Sequence, residues 1–299
     1  MSQSALRTLL AGSVDYAGLF PPAGLPMAAA VAQYAEYLAG PDAWALGRFV
    51  VPVGRLGELE AAVGTLAPAA QTGAWRLSAL LGADAPGELA AVGEFNCRHA
   101  APGALPLSAD VVEAKADSVE TVERLLGAVP AWAQAYVEVP LASDPAPLIA
   151  AIARHRGRAK MRTGGTTADA FPTAPQVLRF LRACTEARIP FKATAGLHHP
   201  LRAEYRLTYA ADSPRGTMFG FLNVFLTAVW LRQGMAEADA LALLEERAPA
   251  AVRFSADAVE WRGYRADRAA IEAARCEGIV AFGSCSFTEP VGELGNVVR

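Results

Sequence analysis

The stretch 158–200, RAKMRTGGTTADAFPTAPQVLRFLRACTEARIPFKATAGLHHP, reads as strand, glycine turn, helix, strand, glycine turn. In 159–163 the small or apolar Ala159 and Met161 alternate with Lys160 and Arg162, the period-two pattern of a strand with one apolar face. Phe191, Ala193 and Ala195 repeat it against Lys192 and Thr194. Between the two strands, Val177, Phe180, Leu181 and Cys184 recur at helical spacing. A strand–helix–strand crossover is right-handed in nearly all known cases. Two neighbouring parallel strands therefore each aim a lysine to the same side.

Outward from this unit the alternation continues in both directions. Strands are expected near 13–16, 48–53, 76–81, 110–116 and 135–139, with helices at 27–38, 56–66, 86–95, 118–126 and 147–155. After Pro200 the rhythm breaks. Residues 201–216 are polar and mixed, a long connection suited to a lid, since long ordered loops in compact domains are often functional. Helices at 217–233 and 237–247, a hairpin at 253–263, a helix at 266–275 and an apolar strand at 279–287 carrying GSCS follow. Eight alternations predict one (β/α)8 TIM-type barrel spanning 1–299, with 201–265 as a lid, helical and hairpin elaboration between the seventh and eighth strands. In such a barrel, polar residues near the C-terminal strand ends point at the axis. Glu113 and Lys115 share one parity, Val112 and Ala114 the other, and Glu138 opposes Val137 and Val139. A doubly wound sheet, apolar on both faces, leaves these charges without homes.

Composition narrows the class. The chain has 299 residues, 53% of them hydrophobic, enough to bury a large core. A net charge of −3 with scattered arginines gives no basic stripe, which argues against nucleic acid as a partner. Cys97, Cys184, Cys276 and Cys285 show no CxxC spacing, and the first residues lack a leader pattern, so a reducing cytoplasm is the expectation. The longest apolar run, 219–231, contains Asn223 and is too short to cross a bilayer; it reads as a buried helix, and no membrane association is expected. Self-association is left open.

Of 27 lysines and arginines only three are lysines, Lys115, Lys160 and Lys192, and all three fall in expected strands, where lysine is usually depleted. Arginine serves wherever positive charge alone is needed; only an amine can lose its proton and form an imine. The expected axial set is Asp15, Glu113, Lys115, Glu138, Lys160, Arg162 and Lys192. Such ions must pair, neutralise or face a wet cavity. Like charge from Arg162 and burial are both expected to lower the lysines' proton affinity, making one a nucleophile. The competing reading is a salt-bridge network that only braces the strands. Gly164, Gly165 and Gly196 at strand ends either expose N–H groups to an anion or simply make tight turns. His198 and His199 allow a divalent-metal site with Glu113, Glu138 and Asp15, although neighbouring histidines on an extended segment point to opposite sides. Cys285 reads as a small core residue or a nucleophile, with no partner histidine close in sequence.

Lys160-Met-Arg-Thr163-Gly164, then Lys192-Ala-Thr-Ala-Gly196, then Gly283-Ser284-Cys285-Ser286 on a final strand, resembles the deoxyribose-phosphate aldolase pattern among class I aldolases. The resemblance covers about the last half of the chain. It implies that Lys160 forms the Schiff base and Lys192 tunes its protonation. It also implies that the glycine turns, with Thr163 and Ser284 or Ser286, hold a phosphate. The chain departs from the family at His198-His199 and in the longer connection after strand seven. No family-type aspartate is placed, and Glu113 or Glu138 fills that proton-transfer role.

Three functions follow as expectations. The first is a lyase or aldolase acting on a small anionic carbonyl substrate, with or without a phosphate, through a covalent lysine imine and with no other cofactor. The second is a metal-dependent lyase, isomerase or hydrolase using His198 or His199 with Glu113 and Glu138. The third is a non-catalytic barrel that binds a ligand.

Overall fold

The structure, a computed structural model, describes residues 4–68 and 73–297; residues 1–3, where the leader expectation starts, lie outside it. The chain opens with helix α1 (Ala5–Leu10), then alternates β1 (Val14–Tyr16), α2 (Met27–Ala39), β2 (Leu46–Pro52), α3 (Leu56–Gly64), β3 (Trp75–Leu80), α4 (Ala85–His99), β4 (Leu107–Lys115), α5 (Val119–Ala128), β5 (Gln134–Glu138), α6 (Ala146–Arg154), β6 (Arg158–Arg162), α7 (Ala174–Ala187) and β7 (Phe191–Thr194). It then leaves the barrel for the hairpin β8 (Ala203–Arg206) and β9 (Arg215–Met218), helices α8 (Phe221–Leu231) and α9 (Glu237–Leu244), and the antiparallel strands β10 (Val252–Phe254), β11 (Ala258–Trp261) and β12 (Tyr264–Asp267). Helix α10 (Arg268–Glu277) returns it to β13 (Ile279–Ser284), and α11 (Thr288–Gly292) follows.

Strands β1–β7 and β13 close a parallel barrel in which β13 sits between β7 and β1. This is the (β/α)8 architecture that the alternation predicts. Its sidedness follows from strand parity. Val112, Val137, Ala159, Met161 and Ala193 lie under the helix layer with at most 1% exposure, while their neighbours Glu113, Glu138, Lys160 and Lys192 turn inward. Register decides which inward residues meet: Glu138 pairs with Lys160 and Lys160 with Lys192, placing the three side by side on adjacent strands.

Local chemistry fixes the helix that separates the two lysine strands. Thr173 and Gln176 form a reciprocal capping box at the start of α7, and Pro175 lies in its first turn, where no N–H is missed. Val177, Phe180, Leu181 and Cys184 are buried as their spacing predicts.

The segment after β7 departs most from expectation. Residues 201–216, read as a long connection, contain β8 and the first half of β9, which continues to Met218; α8 therefore starts at Phe221 rather than 217. The 253–263 hairpin is a three-stranded sheet whose third strand, 264–267, displaces the start of α10 to Arg268. Strand β13 stops at Ser284, so Cys285 and Ser286 lie beyond it. Asn223 explains how an amide survives in the apolar α8: it accepts from Arg202 N at 2.8 Å and donates to the carbonyls of Leu243 at 2.7 Å and Glu246 at 2.9 Å. Gly220 is required beside it, because a Cβ there would lie 2.3 Å from Leu201 Cα. These contacts seat the β8–β9 hairpin on α8 and α9. Among the described residues no helix is long and apolar enough to cross a membrane.

Candidate active site

A cavity of about 1120 Å³ opens at the C-terminal ends of the barrel strands. Its floor is ionic. Lys160 Nζ lies 2.7 Å from Glu113 Oε2 and 2.8 Å from Glu138 Oε2. Lys192 Nζ lies 2.5 Å from Asp15 Oδ2 and 2.7 Å from Glu113 Oε1. Asp15 also accepts from Arg48 N at 2.8 Å, Ser78 Oγ donates to Glu113 at 2.5 Å, and the Tyr136 ring lies 5.4 Å from Lys192 Nζ. Lys160, Lys192, Glu113 and Glu138 line the cavity, and Asp15 lies beneath it.

Two expected members of the axial set are rim residues instead. The Lys115 side chain is 77% exposed and the Arg162 side chain 49%; they reach Glu138 at 3.9 and 3.5 Å. Lys115 has the right parity but ends β4, one pleat beyond Glu113, where its long stem carries the charge into solvent.

The expected depression of the lysines is corrected at Lys192. Burial disfavours its ammonium, but Asp15 and Glu113 outweigh burial, and its pKa is raised. Glu113 is the mirror case: burial pushes it up, yet Lys160 and Lys192 hold it far below the ordinary carboxylate range. Glu138 is likewise lowered, against burial, by Lys160, Arg162 and Lys115. Opposite charge two to three ångströms away outranks Arg162 at the rim.

The cavity wall near β13 carries a second cluster. His198 Nδ1 lies 3.1 Å from Ser284 Oγ, 3.4 Å from Glu289 Oε2 and 3.9 Å from Cys285 Sγ, and Tyr209 Oη lies 3.4 Å from the same sulfur. Burial works against the imidazolium, but Cys285 and Glu289 push His198 up to about 9. Burial likewise raises the thiol, but His198 and Tyr209 bring Cys285 below its usual value. Cys285 thus has the histidine that its sequence neighbourhood lacks. Tyr209 and Ser78, absent from the sequence-derived set, carry no local motif that would have marked them.

Gly165, Gly196 and Gly283 line the cavity, whereas Thr163, Gly164, Ser284 and Ser286 do not. Thr163 Oγ1 donates to Ala195 O at 2.5 Å, and Ser286 Oγ accepts from Glu289 N at 3.2 Å. Gly196 has φ +72°, and a Cβ on it would lie 2.9 Å from Gly164 Cα. These glycines let the β6 and β7 turns touch. Cationic groups lie elsewhere on the cavity wall: Arg162, Arg206 and Arg215.

The histidines do not join the floor acids, which are engaged by the lysines. Contrary to the expectation for adjacent histidines, both approach one carboxylate: His199 Nε2 is 4.0 Å from Glu289 and His198 Nδ1 is 3.4 Å from it. His199 Nδ1 also meets both Glu293 oxygens at 3.0 Å, and its ring stacks on Tyr205 at 3.4 Å. Among the described residues, His199, Glu289 and Glu293 are the group with spacing that would accept a cation, their ligand atoms lying within 4.8 Å of one another. Within the group His199 is hydrogen-bonded to Glu293, while Glu289 accepts from Tyr209 instead.

No protein-family model, curated protein or solved structure matches this chain.

Proposed function

We propose that the barrel is an enzyme, a lyase of the aldolase type, that acts on a small anionic carbonyl compound through an imine on Lys160. The observation that carries this reading is the unequal placement of the two amines. Each ammonium meets two carboxylates, but Lys192 is 2% exposed and one of its partners, Asp15, lies beneath the cavity, whereas Lys160 is 8% exposed and both its partners, Glu113 and Glu138, line the cavity. Attack on a carbonyl needs an amine that the substrate can reach, and Lys160 is the more accessible of the two.

In this mechanism Glu138, 2.8 Å away, takes the Lys160 proton as the amine adds to the carbonyl carbon, an uphill transfer because the surrounding cations hold Glu138 below its ordinary pKa. The resulting carbinolamine loses water with that proton, leaving an imine whose developing charge meets Glu113 and Glu138. The carbon–carbon bond next to the imine carbon then breaks or forms. Arg162, Arg206 and Arg215 around the upper cavity provide for a phosphate or carboxylate on the substrate. The experiment is borohydride reduction in the presence of small anionic aldehydes and ketones, followed by mass analysis of the intact chain; absence of any adduct across a broad panel overturns the proposal.

A second reading, a barrel that binds a ligand without turning it over, draws on the complete pairing of both ammoniums. Ligand binding unchanged by Lys160→Ala and Lys192→Ala favours that alternative.

A further inference from the structure

The cavity holds a second nucleophile that the lysine chemistry leaves unused. Cys285 lies one residue past β13, and the pairing of Ala281 with Lys192 sets the register. Cys285 is four positions beyond Ala281, roughly 13 Å along an extended chain. The thiol therefore stands toward the mouth, above the lysines rather than among them.

Two polar groups converge on the sulfur from two separate segments. His198 Nδ1, from the turn after β7, is 3.9 Å away, and Tyr209 Oη, from the β8–β9 hairpin, is 3.4 Å away. Glu289 sits behind them, 3.4 Å from His198 Nδ1 and 3.3 Å from Tyr209 Oη. Ser284 Oγ, at 3.1 Å, completes the surroundings of the imidazole. The other buried cysteine, Cys184, packs in the apolar core of α7, where burial alone raises its pKa. The contrast is one of environment: a buried thiol surrounded by donors and open to a cavity is a nucleophile site, and one among aliphatic side chains is packing.

We propose that Cys285, assisted by His198, is a covalent binding site for an aldehyde. The thiol proton passes to His198, the sulfur adds to the carbonyl carbon, the C=O π pair moves to oxygen, and that oxygen takes the same proton from the imidazolium. The product is a neutral hemithioacetal, and the histidine recovers the proton when the adduct dissociates. Addition of this kind needs one proton and no leaving group or oxidant, and one protonated imidazole supplies it. The site is independent of the imine on Lys160, and it would hold a carbonyl at the mouth while another reacts at the floor.

The four cysteines give an internal comparison, since Cys97 and Cys276 are exposed. The intact protein is alkylated with limiting iodoacetamide, with and without millimolar propanal, and each cysteine is quantified by peptide mass. The expected result is that Cys285 reacts about tenfold faster than Cys97 and Cys276 despite its burial, that propanal slows Cys285 alone, and that His198→Gln removes about a tenfold rate advantage while the other two are unchanged. Alkylation of Cys285 no faster than the exposed cysteines, or a rate indifferent to propanal, overturns the inference; the propanal arm needs no variant. Borohydride does not fix a hemithioacetal to the protein. Lysine adducts trapped in Cys285→Ala therefore report on the imine separately.

Discussion

Lys160 and Lys192 share one carboxylate: Glu113 offers Oε2 to the first ammonium and Oε1 to the second, each at 2.7 Å. Asp15 and Glu138 flank this bridge, so the described floor carries three acids against two lysines. Asp15 and Glu113 keep Lys192 protonated, and Glu138 stands 2.8 Å from Lys160 at the cavity.

Replacing the bridge removes a partner from both amines at once. Breaking a buried ion pair from one side costs about 3–5 kcal/mol, because the remaining charge stays buried without compensation. Glu113→Gln is expected to lose stability on that scale in urea denaturation, more than either Glu58→Gln or Glu123→Gln, whose partners are exposed arginines.

The same network sets two limits to stability in pH. Glu113 is held below its ordinary value of 4.5, so its contribution is present above pH 4.5 and is lost as pH falls from there toward its folded pKa. Lys192 is held above 10.5, so its contribution is complete below pH 10.5 and is lost as pH climbs from there toward its folded pKa. Thermal unfolding followed from acid to alkaline pH is expected to fall off in both windows, with the acid decline shallower in Glu113→Gln.

Glu138 tests proton transfer apart from scaffolding. Once a turnover assay is found, Glu138→Gln is expected to lower kcat by about 10²–10⁴-fold, the usual worth of a placed acid–base group, with a much smaller change in KM. A loss confined to KM would assign Glu138 to substrate binding instead.

Asn223 tests the seating of the β8–β9 hairpin. Asn223→Leu leaves Arg202 N and the carbonyls of Leu243 and Glu246 without their side-chain partner. Each orphaned buried group costs about 1–3 kcal/mol. Calorimetry is expected to show a lowered Tm, and limited proteolysis to cut first within 201–218.

The barrel was legible because strand parity repeats on several strands: Val112, Val137, Ala159 and Ala193 outward, Glu113, Glu138, Lys160 and Lys192 inward. The same parity misplaced Lys115 and Arg162, since alternation gives a face and not a depth. Strand β8, Ala-Glu-Tyr-Arg, alternates over only four residues and β9, Arg-Gly-Thr-Met, does not alternate, so neither is long enough to stand out from a polar connection. The raised Lys192 depends on Asp15, 177 positions away, and the Cys285–His198 contact spans 87. Only closure of the barrel brings those pairs together.

The most direct measurement of the central claim is the position of the reduced adduct. After borohydride trapping with a small anionic carbonyl compound, peptide mass mapping is expected to place the modification on Lys160, with Lys192 unmodified and trapping abolished in Lys160→Met. Adducts on the exposed Lys115 alone, or none on Lys160 with any carbonyl tried, would contradict an imine at the barrel floor.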